Sequence, residues 1–430
     1  MANCKTRTIN EQMIWFILNS SVWLFFAVTL VTPALAQPVP KAEPSLWESE
    51  TLTGDWNGLR SSWSEKGVDL SIEYHAEAMG VVSGGIRRGV IYEGLGQGTL
   101  DADLERLIGW RKLSFRVSTL WTHGASPSGK LIGDDLSASY IDAYDGLRLY
   151  ELWFDQIFWD DHFSLRLGNL LSDEEFSASG YGYVLMNAAF GQPAYISGNT
   201  LNTGPAFWMA GLGMRLRYNP TKKWYMQAAI YDGDTFDDPG GNPAINQSGL
   251  HFHLSGQQGW LTMYEAGHLL NQEDGDTGLP GWYRVGGWLH TGTFNDHDGI
   301  TQHDNNWGIY FAGDQMIWRE AANDDQGLGL FYRIGGSPEN RSKFEWVMDT
   351  GLNYKGLLPD RDKDIAGLGF VYAKHSDDLT TDHEMAIEAT YSIQVTPWMT
   401  VQPDVQWISR PGGGTTPDAW VAGLRAVFSF

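Results

Sequence analysis

The sequence has a single cysteine, and its position excludes most thiol chemistry. Cys4 lies before an apolar stretch, residues 14–31, that has the form of a signal peptide. Ala34-Leu35-Ala36 behind this stretch predicts cleavage before Gln37. The chain that remains would contain no thiol, so it could form no disulfide, thiolate nucleophile or cysteine metal site.

Long apolar runs are also missing after the predicted signal peptide. No later stretch approaches the roughly 18 consecutive apolar residues of a membrane helix. A β-barrel is not excluded, because its strands carry apolar residues at alternating positions. Glycine (51) and the aromatic residues (20 Trp, 18 Tyr, 19 Phe) are abundant instead. Barrel turns and aromatic girdles would use them, although a large soluble sugar-binding β protein would share this bias.

Basic residues are scarce. The formal net charge is −23, and loss of the signal peptide with its two bases and one acid leaves −24. So acidic a chain is not expected to bind nucleic acid. The acidic clusters at residues 232–238 and 296–304 fall in apparent loops, where they are solvated or bridge to anionic surface lipids through divalent ions.

Catalytic and metal-binding motifs are absent as well. The sequence contains no G-x-S-x-G, H-E-x-x-H or P-loop motif. Adjacent carboxylates such as Asp134-Asp135 would face opposite sides of a strand and form no acid–base pair. His251 and His253 would share a strand face, but two imidazoles without a third ligand make a weak metal site. We therefore predict no enzymatic activity, no cofactor and no bound metal.

From Val68 onward, apolar and polar residues alternate with a period of two in many stretches of the sequence. Between residues 68 and 78, Val, Leu, Ile, Tyr and Ala alternate with Asp, Ser, Glu and His. Other clear cases are residues 100–106, 113–122, 250–255, 384–395 and 420–430. This pattern predicts strands with one apolar and one polar face. Such strands suit a wall between lipid and water.

The number and spacing of these stretches predict the architecture. We count about 17 candidates, each near the roughly ten residues that a tilted strand needs to cross a bilayer. Bacterial single-chain barrels have even strand numbers, so we predict an all-β, transmembrane antiparallel β-barrel of sixteen strands, with eighteen as the alternative. Short turns near residues 109–110 and 219–221 alternate with long loops near 124–143 and 232–248, as in barrels that have one short-turn rim.

The predicted chain has three parts. Residues 1–36 form the signal peptide, and residues 37–67 form a lead with a short helix that Asp55 or Asn57 could cap. Residues 68–430 form the barrel. The longest gap between candidate strands is residues 172–205. Because segments of this length are usually functional, we expect it to fold inward and narrow the lumen.

Several segments resemble the carbohydrate-selective porins (OprB family) of Gram-negative outer membranes. The most specific are residues 53–60 (TGDWNGLR) and 396–411 (TPWMTVQPDVQWISRP); residues 165–170, 227–234 and 354–364 are also similar. The resemblance implies a sixteen-stranded porin of the cell outer membrane that admits glucose and related sugars by passive diffusion into the periplasm. Pro403 in the penultimate strand cannot donate a ladder hydrogen bond and suggests a bulge.

A sugar-selective lumen needs aromatic faces for pyranose rings and charged groups that hydrogen-bond vicinal hydroxyls, with binding weak enough for release. The gap at 172–205 begins with acids and offers Tyr181, Tyr183, Phe190 and Tyr195. For any one ionisable residue the alternative is an ion pair that braces the wall. The predicted constriction residues are Arg166, Asp173, Glu174, Phe176, Arg215, Arg217 and Arg284.

Three other functions remain open at this point. They are a general or cation-preferring porin, suggested by the acidic charge, an outer-membrane barrel enzyme, and a secreted soluble sugar-binding protein. The expected partners are mono- or oligosaccharide solutes and outer-membrane lipids. The sequence leaves open whether the barrel works as a monomer or as a homotrimer.

Overall fold

The computed structural model describes residues 45–430, except for residues 239, 255, 257, 274 and 322–324. Ser45–Phe430 forms one unit. The predicted signal peptide, residues 1–36, lies outside the described residues, so the boundary at Gln37 stays a prediction.

Sixteen antiparallel strands of the described chain close into a barrel. Each strand pairs with the next along the chain, and the first pairs with the last, where Glu77 lies opposite Arg425. The barrel strands are β1 (Val68–Ser83), β2 (Gly89–Asp103), β3 (Leu113–Gly124), β4 (Gly146–Phe158), β5 (Phe163–Leu170), β6 (Gly211–Thr221), β7 (Trp224–Asp232), β8 (Trp260–Leu270), β9 (Gly281–His290), β12 (Asn306–Arg319), β13 (Gly327–Gly336), β14 (Phe344–Lys355), β15 (Ile365–His375), β16 (His383–Thr396), β17 (Met399–Ser409) and β18 (Ala419–Ser429). Strands β10 (Phe294–Asn295) and β11 (Gln302–His303) form a separate two-stranded ribbon. The prediction of sixteen wall strands is therefore confirmed, and the alternative of eighteen is wrong.

Helices are few and short. They are α1 (Leu59–Glu65), α2 (Leu104–Ile108), α3 (Ala194–Ser197) and α4 (Pro411–Gly414), with single turns at Ser128–Ile132, Gly182–Val184, Ala188–Phe190, Leu201–Thr203 and Glu339–Arg341. Asp55 holds the start of α1, because its carboxylate accepts hydrogen bonds from the backbone N–H (2.8 Å) and the hydroxyl (2.7 Å) of Ser61. Within the described residues, no helix is long and apolar enough to cross a membrane.

The two faces of each strand have opposite character, as the alternation predicts. On β18, Trp420 and Leu424 are exposed on the outside of the barrel, while Arg425, the residue after Leu424, points inward and is buried. The closing strand thus presents apolar side chains outward and its arginine to the interior.

Two details of the sequence prediction are wrong. Residues 250–254 are exposed and belong to no strand, so His251 and His253 lie in a loop rather than on a strand face. Pro403 causes no bulge, because the register is the same on both sides of it: Thr390 pairs with Asp404, and Ile393 pairs with Val401. Its missing N–H interrupts the pairing without shifting it.

The two rims of the barrel differ in the length of their connections. Residues 222–223 join β6 to β7 and residues 397–398 join β16 to β17 at one rim, whereas residues 125–145 and 171–210 connect strands at the other. In barrels of this kind the short turns face the periplasm and the long loops the exterior. Leu52 reaches the short-turn rim, where its N–H donates to the carbonyl of Ser429 (2.8 Å).

Candidate functional site

The connection between β5 and β6, residues 171–210, folds into the barrel, and we call it the inner loop. Met186 and Tyr195 in this loop are completely buried. They pack among buried residues that the strands contribute, including Phe331 and Val371. The expectation that this segment narrows the lumen is confirmed by its position.

Arg333 on β13 is the main polar anchor of the inner loop. Its guanidinium pairs with Asp349 on β14 (2.8 Å), and both side chains are 0% exposed. The remaining guanidinium N–H groups donate to backbone carbonyls of the inner loop. These carbonyls belong to Ser177 (3.0 Å), Ala189 (3.0 Å), Phe190 (2.8 Å) and Gly191 (2.8 Å). One buried arginine thus satisfies carbonyls that the inner loop could not pair within a regular helix or sheet.

Three wall carboxylates bind the N–H side of the same loop. Glu265 on β8 accepts from the N–H of Ser177 (2.9 Å). Asp314 on β12 accepts from Ser179 (hydroxyl, 2.6 Å) and Tyr181 (N–H, 3.1 Å). Glu388 on β16 accepts from the N–H groups of Met186 and Asn187 (2.9 Å for Asn187). We call Glu265, Asp314, Arg333 and Glu388 the anchored wall.

Glycines on the anchored side make room for the inner loop. A Cβ atom at Gly335 would lie 2.6 Å from the ring of Tyr195, and one at Gly369 would lie 2.6 Å from the ring of Phe190. Both separations are shorter than a carbon–carbon contact allows. The abundance of glycine therefore reflects the packed lumen as well as the turns.

A second loop also packs inward. Residues 125–145, predicted as an ordinary long outer loop, bury Ile132 and Ala138 completely. The N–H of Ala188 in the inner loop donates to Ser137 (2.8 Å), and the N–H of Tyr140 donates to Met186 (2.8 Å). The two loops together therefore fill the side of the lumen next to the anchored wall.

The opposite side of the lumen carries arginines and carboxylates that the loops leave partly uncovered. We call Arg116, Trp153, Arg166 and Arg217 the open wall. The Arg166 side chain is 20% exposed and pairs with Asp155 (2.9 Å) and with Glu175 of the inner loop (2.7 Å). Arg215 beside it pairs with the same two carboxylates, at 2.9 Å from Asp155. Two arginines and two carboxylates thus form one neutral cluster.

Trp153 lies between two guanidinium groups of the open wall. The Arg166 guanidinium is 4.1 Å from the ring centroid and that of Arg116 is 5.3 Å away. The indole N–H donates to Glu151 (2.8 Å). Arg116 also holds Asp101 with two hydrogen bonds, of 2.7 and 3.0 Å. Cation–π contact and bidentate pairing fix these side chains in place.

The acids that begin the inner loop differ in their surroundings. Asp173 accepts from the N–H of Phe207 (2.9 Å), and burial raises the pKa of Asp173 to about 6. The carboxylate of Glu174 is open to lumen water but enclosed by the wall, which raises the pKa of Glu174 to about 8, first by desolvation and then by the negative charge of Glu151. Glu174 is the more available group for a solute.

Tyr183 is the aromatic residue that the inner loop leaves free. Its side chain is 80% exposed, although Gly182 before it is buried. The loop backbone is fixed on both sides of it, because Asn353 donates to the carbonyl of Tyr181 (3.2 Å) and Gln402 to that of Val184 (2.7 Å). Desolvation and then the neighbouring Tyr140 and Glu174 raise the pKa of Tyr183 to about 12. Its ring therefore stands in the open part of the lumen near Glu174.

The seven predicted constriction residues divide by exposure. Arg166 and Glu174 reach the open lumen, while Arg217 is half-buried over the ring of Tyr225 (3.9 Å). Phe176 is only 1% exposed and belongs to the packed side of the inner loop. Arg284 is buried, pairs with Asp314 and donates to the carbonyl of Ala178. The packing thus covers Phe176 and Arg284, whereas it leaves Arg166 and Glu174 accessible.

Sequence reasoning did not name Arg116 and Trp153, and it named Tyr183 only as one of several aromatic residues of the gap. Arg116 lies on a predicted strand and alternates with apolar residues, so the same signal that selected Arg166 could have found it. The exposure of Tyr183 had no signal in the sequence, because the five aromatic residues of the gap look equivalent there. Within the described residues, no group of three or more His, Cys, Asp or Glu side chains is placed to hold a metal ion.

Comparisons with known proteins agree with this architecture. A family model described as carbohydrate-selective porin, OprB family, matches residues 87–430. Porin B of Pseudomonas aeruginosa is 25% identical, and the alignment covers 88% of this chain and 90% of that protein.

Solved structures show the same fold. The high-pH structure of Pseudomonas putida OprB superimposes with a TM-score of 0.79 at 24% identity, over 90% of this chain and 100% of that chain. The outer membrane channel DcaP of Acinetobacter baumannii gives a TM-score of 0.51 at 10% identity, over 84% of this chain and 97% of that one.

Proposed function

The chain belongs to the carbohydrate-selective porins of the OprB family in the Gram-negative outer membrane, and from this premise we propose that it selects sugars between the inner loop and the open wall. Sugars such as glucose diffuse passively through this passage into the periplasm. Tyr183 offers a ring face to the pyranose, while Arg116, Arg166 and Glu174 hydrogen-bond its hydroxyls.

One observation carries the proposal: the inner loop is fixed to the anchored wall but leaves the opposite arginines partly uncovered. Arg166 retains 20% of its side-chain surface after pairing with Asp155 and Glu175. Its planar guanidinium can donate two parallel hydrogen bonds to neighbouring hydroxyls. A ring stacked on Tyr183 adds contact over the C–H face of the sugar.

The arrangement supports weak binding, which a channel requires. The arginines are already paired, so a sugar hydroxyl must share a donor with a carboxylate instead of satisfying a bare charge. Binding of this kind slows a solute without trapping it. The same reasoning supports transport rather than catalysis, as the sequence predicts.

The other predicted residues take supporting roles in this proposal. Arg217 extends the row of donors along the open wall. Asp173 and Arg215 hold the start of the inner loop through Phe207 and Glu175. Phe176 and Arg284 fix the loop from beneath, without touching the solute.

Planar bilayer recordings test the proposal. Glucose should reduce the single-channel current in a graded, saturable way, whereas a polyethylene glycol of similar size should lower it only as far as it lowers bulk conductivity. Arg166→Gln should weaken the glucose block, and Glu65→Gln on the exposed end of α1 serves as the control. A current that glucose leaves unchanged would overturn the selectivity.

The general or cation-preferring porin is the second candidate, because Glu174 adds negative charge to the lumen as the pH rises past its pKa of about 8. A salt gradient distinguishes the two, since strong cation preference without glucose block would support the general porin.

The apolar outer faces support contact with outer-membrane lipid. Because one chain closes a complete lumen, we expect each barrel to conduct by itself, and current steps of one or three equal units would separate a monomer from a homotrimer.

A further inference from the structure

The charges around the passage do not balance. Arg166 and Arg215 share Asp155 and Glu175, and Arg116 is held by Asp101. Every arginine of this cluster therefore has its carboxylate. Of three further acids, Glu151 shares Arg116 at 3.8 Å, whereas Asp173 and Glu174 pair with no arginine. Arg217 on the same wall donates to Asn219 rather than to a carboxylate. The acids of the passage still outnumber its arginines, so the passage carries excess negative charge.

Two of these three acids are occupied. Glu151 is buried and accepts from the hydroxyl of Ser118 (3.0 Å) and the indole of Trp153 (2.8 Å). Asp173 accepts from the N–H of Phe207 (2.9 Å). Glu174 is exposed to the lumen, and in the described part of the chain no group hydrogen-bonds or ion-pairs with it. Its oxygens are free to accept from a solute.

The free carboxylate faces the same water as the free aromatic ring. Tyr183 is 80% exposed and lies within electrostatic range of Glu174 and of Glu73 on β1. Glu73 is itself exposed, with His75 as a neighbour at 3.6 Å. A carboxylate beside an aromatic face is the pairing that binds ammonium groups, through charge-assisted hydrogen bonds and cation–π contact.

We propose that the passage favours sugars that carry an ammonium group over neutral sugars, and disfavours sugar acids, because Glu174 and Tyr183 receive the ammonium. The inference rests on the proposed function, since it assigns a preferred solute class to the same passage. A neutral sugar retains the stacking and hydroxyl contacts and lacks the charge interaction. A sugar acid meets the excess negative charge.

Three sugars that differ only at C6 test this directly. They are 6-amino-6-deoxyglucose, glucose and glucuronate, each titrated against the single-channel current at about pH 8. At that pH a primary amine still carries its proton, and Glu174, whose pKa is raised to about 8, is a carboxylate in about half of the molecules. In the wild-type protein we expect the ammonium sugar to block at about fivefold lower concentration than glucose, the size of a partly screened ion pair, and glucuronate to block least.

Two variants locate the effect. Glu174→Gln keeps the shape of the side chain and should make the ammonium sugar and glucose equal within about twofold, whereas Glu174→Asp keeps the charge and should retain the preference. Glu65→Gln changes the net charge by the same amount as Glu174→Gln, but at the short-turn rim. It should leave the blocking concentrations of all three sugars unchanged.

The outcomes separate this inference from the proposed function. If glucose blocks and the ammonium sugar blocks no better, the preference is overturned and the sugar porin stands. If the preference persists in Glu174→Gln, another group receives the ammonium and the assignment is overturned. If none of the three sugars blocks, the proposed function fails and this inference fails with it.

Discussion

The two sides of the lumen use the same residue types for different purposes. On the anchored wall, Arg333 has no exposed side-chain surface and donates to four carbonyls of the inner loop. On the open wall, Arg166 pairs with two carboxylates and keeps a fifth of its surface in the lumen. A lumen-facing arginine is therefore a structural anchor or a solute contact according to which side the inner loop covers.

This difference has a simple physical origin. A long irregular segment inside a barrel must satisfy its backbone N–H and C=O groups with wall side chains, because it forms no ladder of its own. The wall that receives it needs buried charged groups with complementary geometry. The wall that it faces across the water keeps its charged groups for solute, and their mutual pairing keeps binding weak.

Among the substitutions that test this comparison, Arg333→Met should have the largest effect. The substitution leaves Asp349 buried without its cation and four loop carbonyls without a donor. We expect the free energy of unfolding to fall by about 3–5 kcal/mol and the channel current to become larger and noisier. The temperature at which the folded band is lost on gels, and single-channel recordings, measure both effects.

Arg166→Met is the matched control on the open wall. Asp155 and Glu175 retain Arg215 as a partner, so the loss should be about 1 kcal/mol or less. Equal losses in the two variants would remove the distinction between the walls.

A second anchored-wall test is Glu388→Ala, which removes the acceptor for two N–H groups of the inner loop. Leaving such groups unsatisfied should cost about 2 kcal/mol, and the current should fluctuate as this part of the loop loosens. Glu73→Ala, on the exposed lumen face of β1, should leave stability unchanged. If the Glu388 variant is as stable as the Glu73 variant and its current fluctuates no more, then the carboxylates do not anchor the inner loop.

On the open side, Tyr183→Ala should weaken glucose block without loosening the inner loop. Loss of ring stacking is expected to cost about 0.5–1.5 kcal/mol of binding, or roughly 2- to 12-fold in blocking concentration. Tyr183→Phe keeps the ring, so glucose should block this variant at the same concentration as the wild type. Unchanged block in Tyr183→Ala would exclude Tyr183 as the stacking residue.

The smallest expected effect is a pH dependence of ion selectivity. Burial and the charges of Glu151 and Asp173 raise the pKa of Glu174, which Arg116 and Arg166 lower in part, giving about 8. As the pH rises through this value, Glu174 loses its proton and the lumen becomes more negative. Reversal potentials should then shift modestly toward cation preference in the wild type. Glu174→Gln should show no such shift of the reversal potential. A shift that survives the substitution would mean that another group titrates.

The barrel itself could be predicted from the sequence, because strand alternation is a local property. Residues 68–78 and 384–395 alternate over 11 or more positions, broken only by Ala386, and lie on β1 and β16. The same rule failed at residues 250–254, where a short apolar–polar alternation lies in an exposed loop. Five residues of alternation do not specify a strand without a partner to pair with.

The site was only partly predictable. The inward course of the inner loop follows from its length, and Arg166 and Glu174 could be named from their positions. Phe176 and Tyr183 could not be told apart, since both are aromatic residues of the same gap. One is covered and the other exposed because of contacts with strands far away in the sequence, such as those of Asn353 and Gln402.

By itself, then, the sequence determined the periodic wall, with Trp420 and Leu424 outside and Arg425 inside, because side-chain direction along a strand depends only on position. Only the tertiary structure decided which lumen residues are anchors and which meet the solute. That choice depends on where the inner loop lies, and the loop is held by contacts such as Arg333 with Phe190 and Glu388 with Asn187. Such pairs join distant parts of the chain, so no local pattern encodes them.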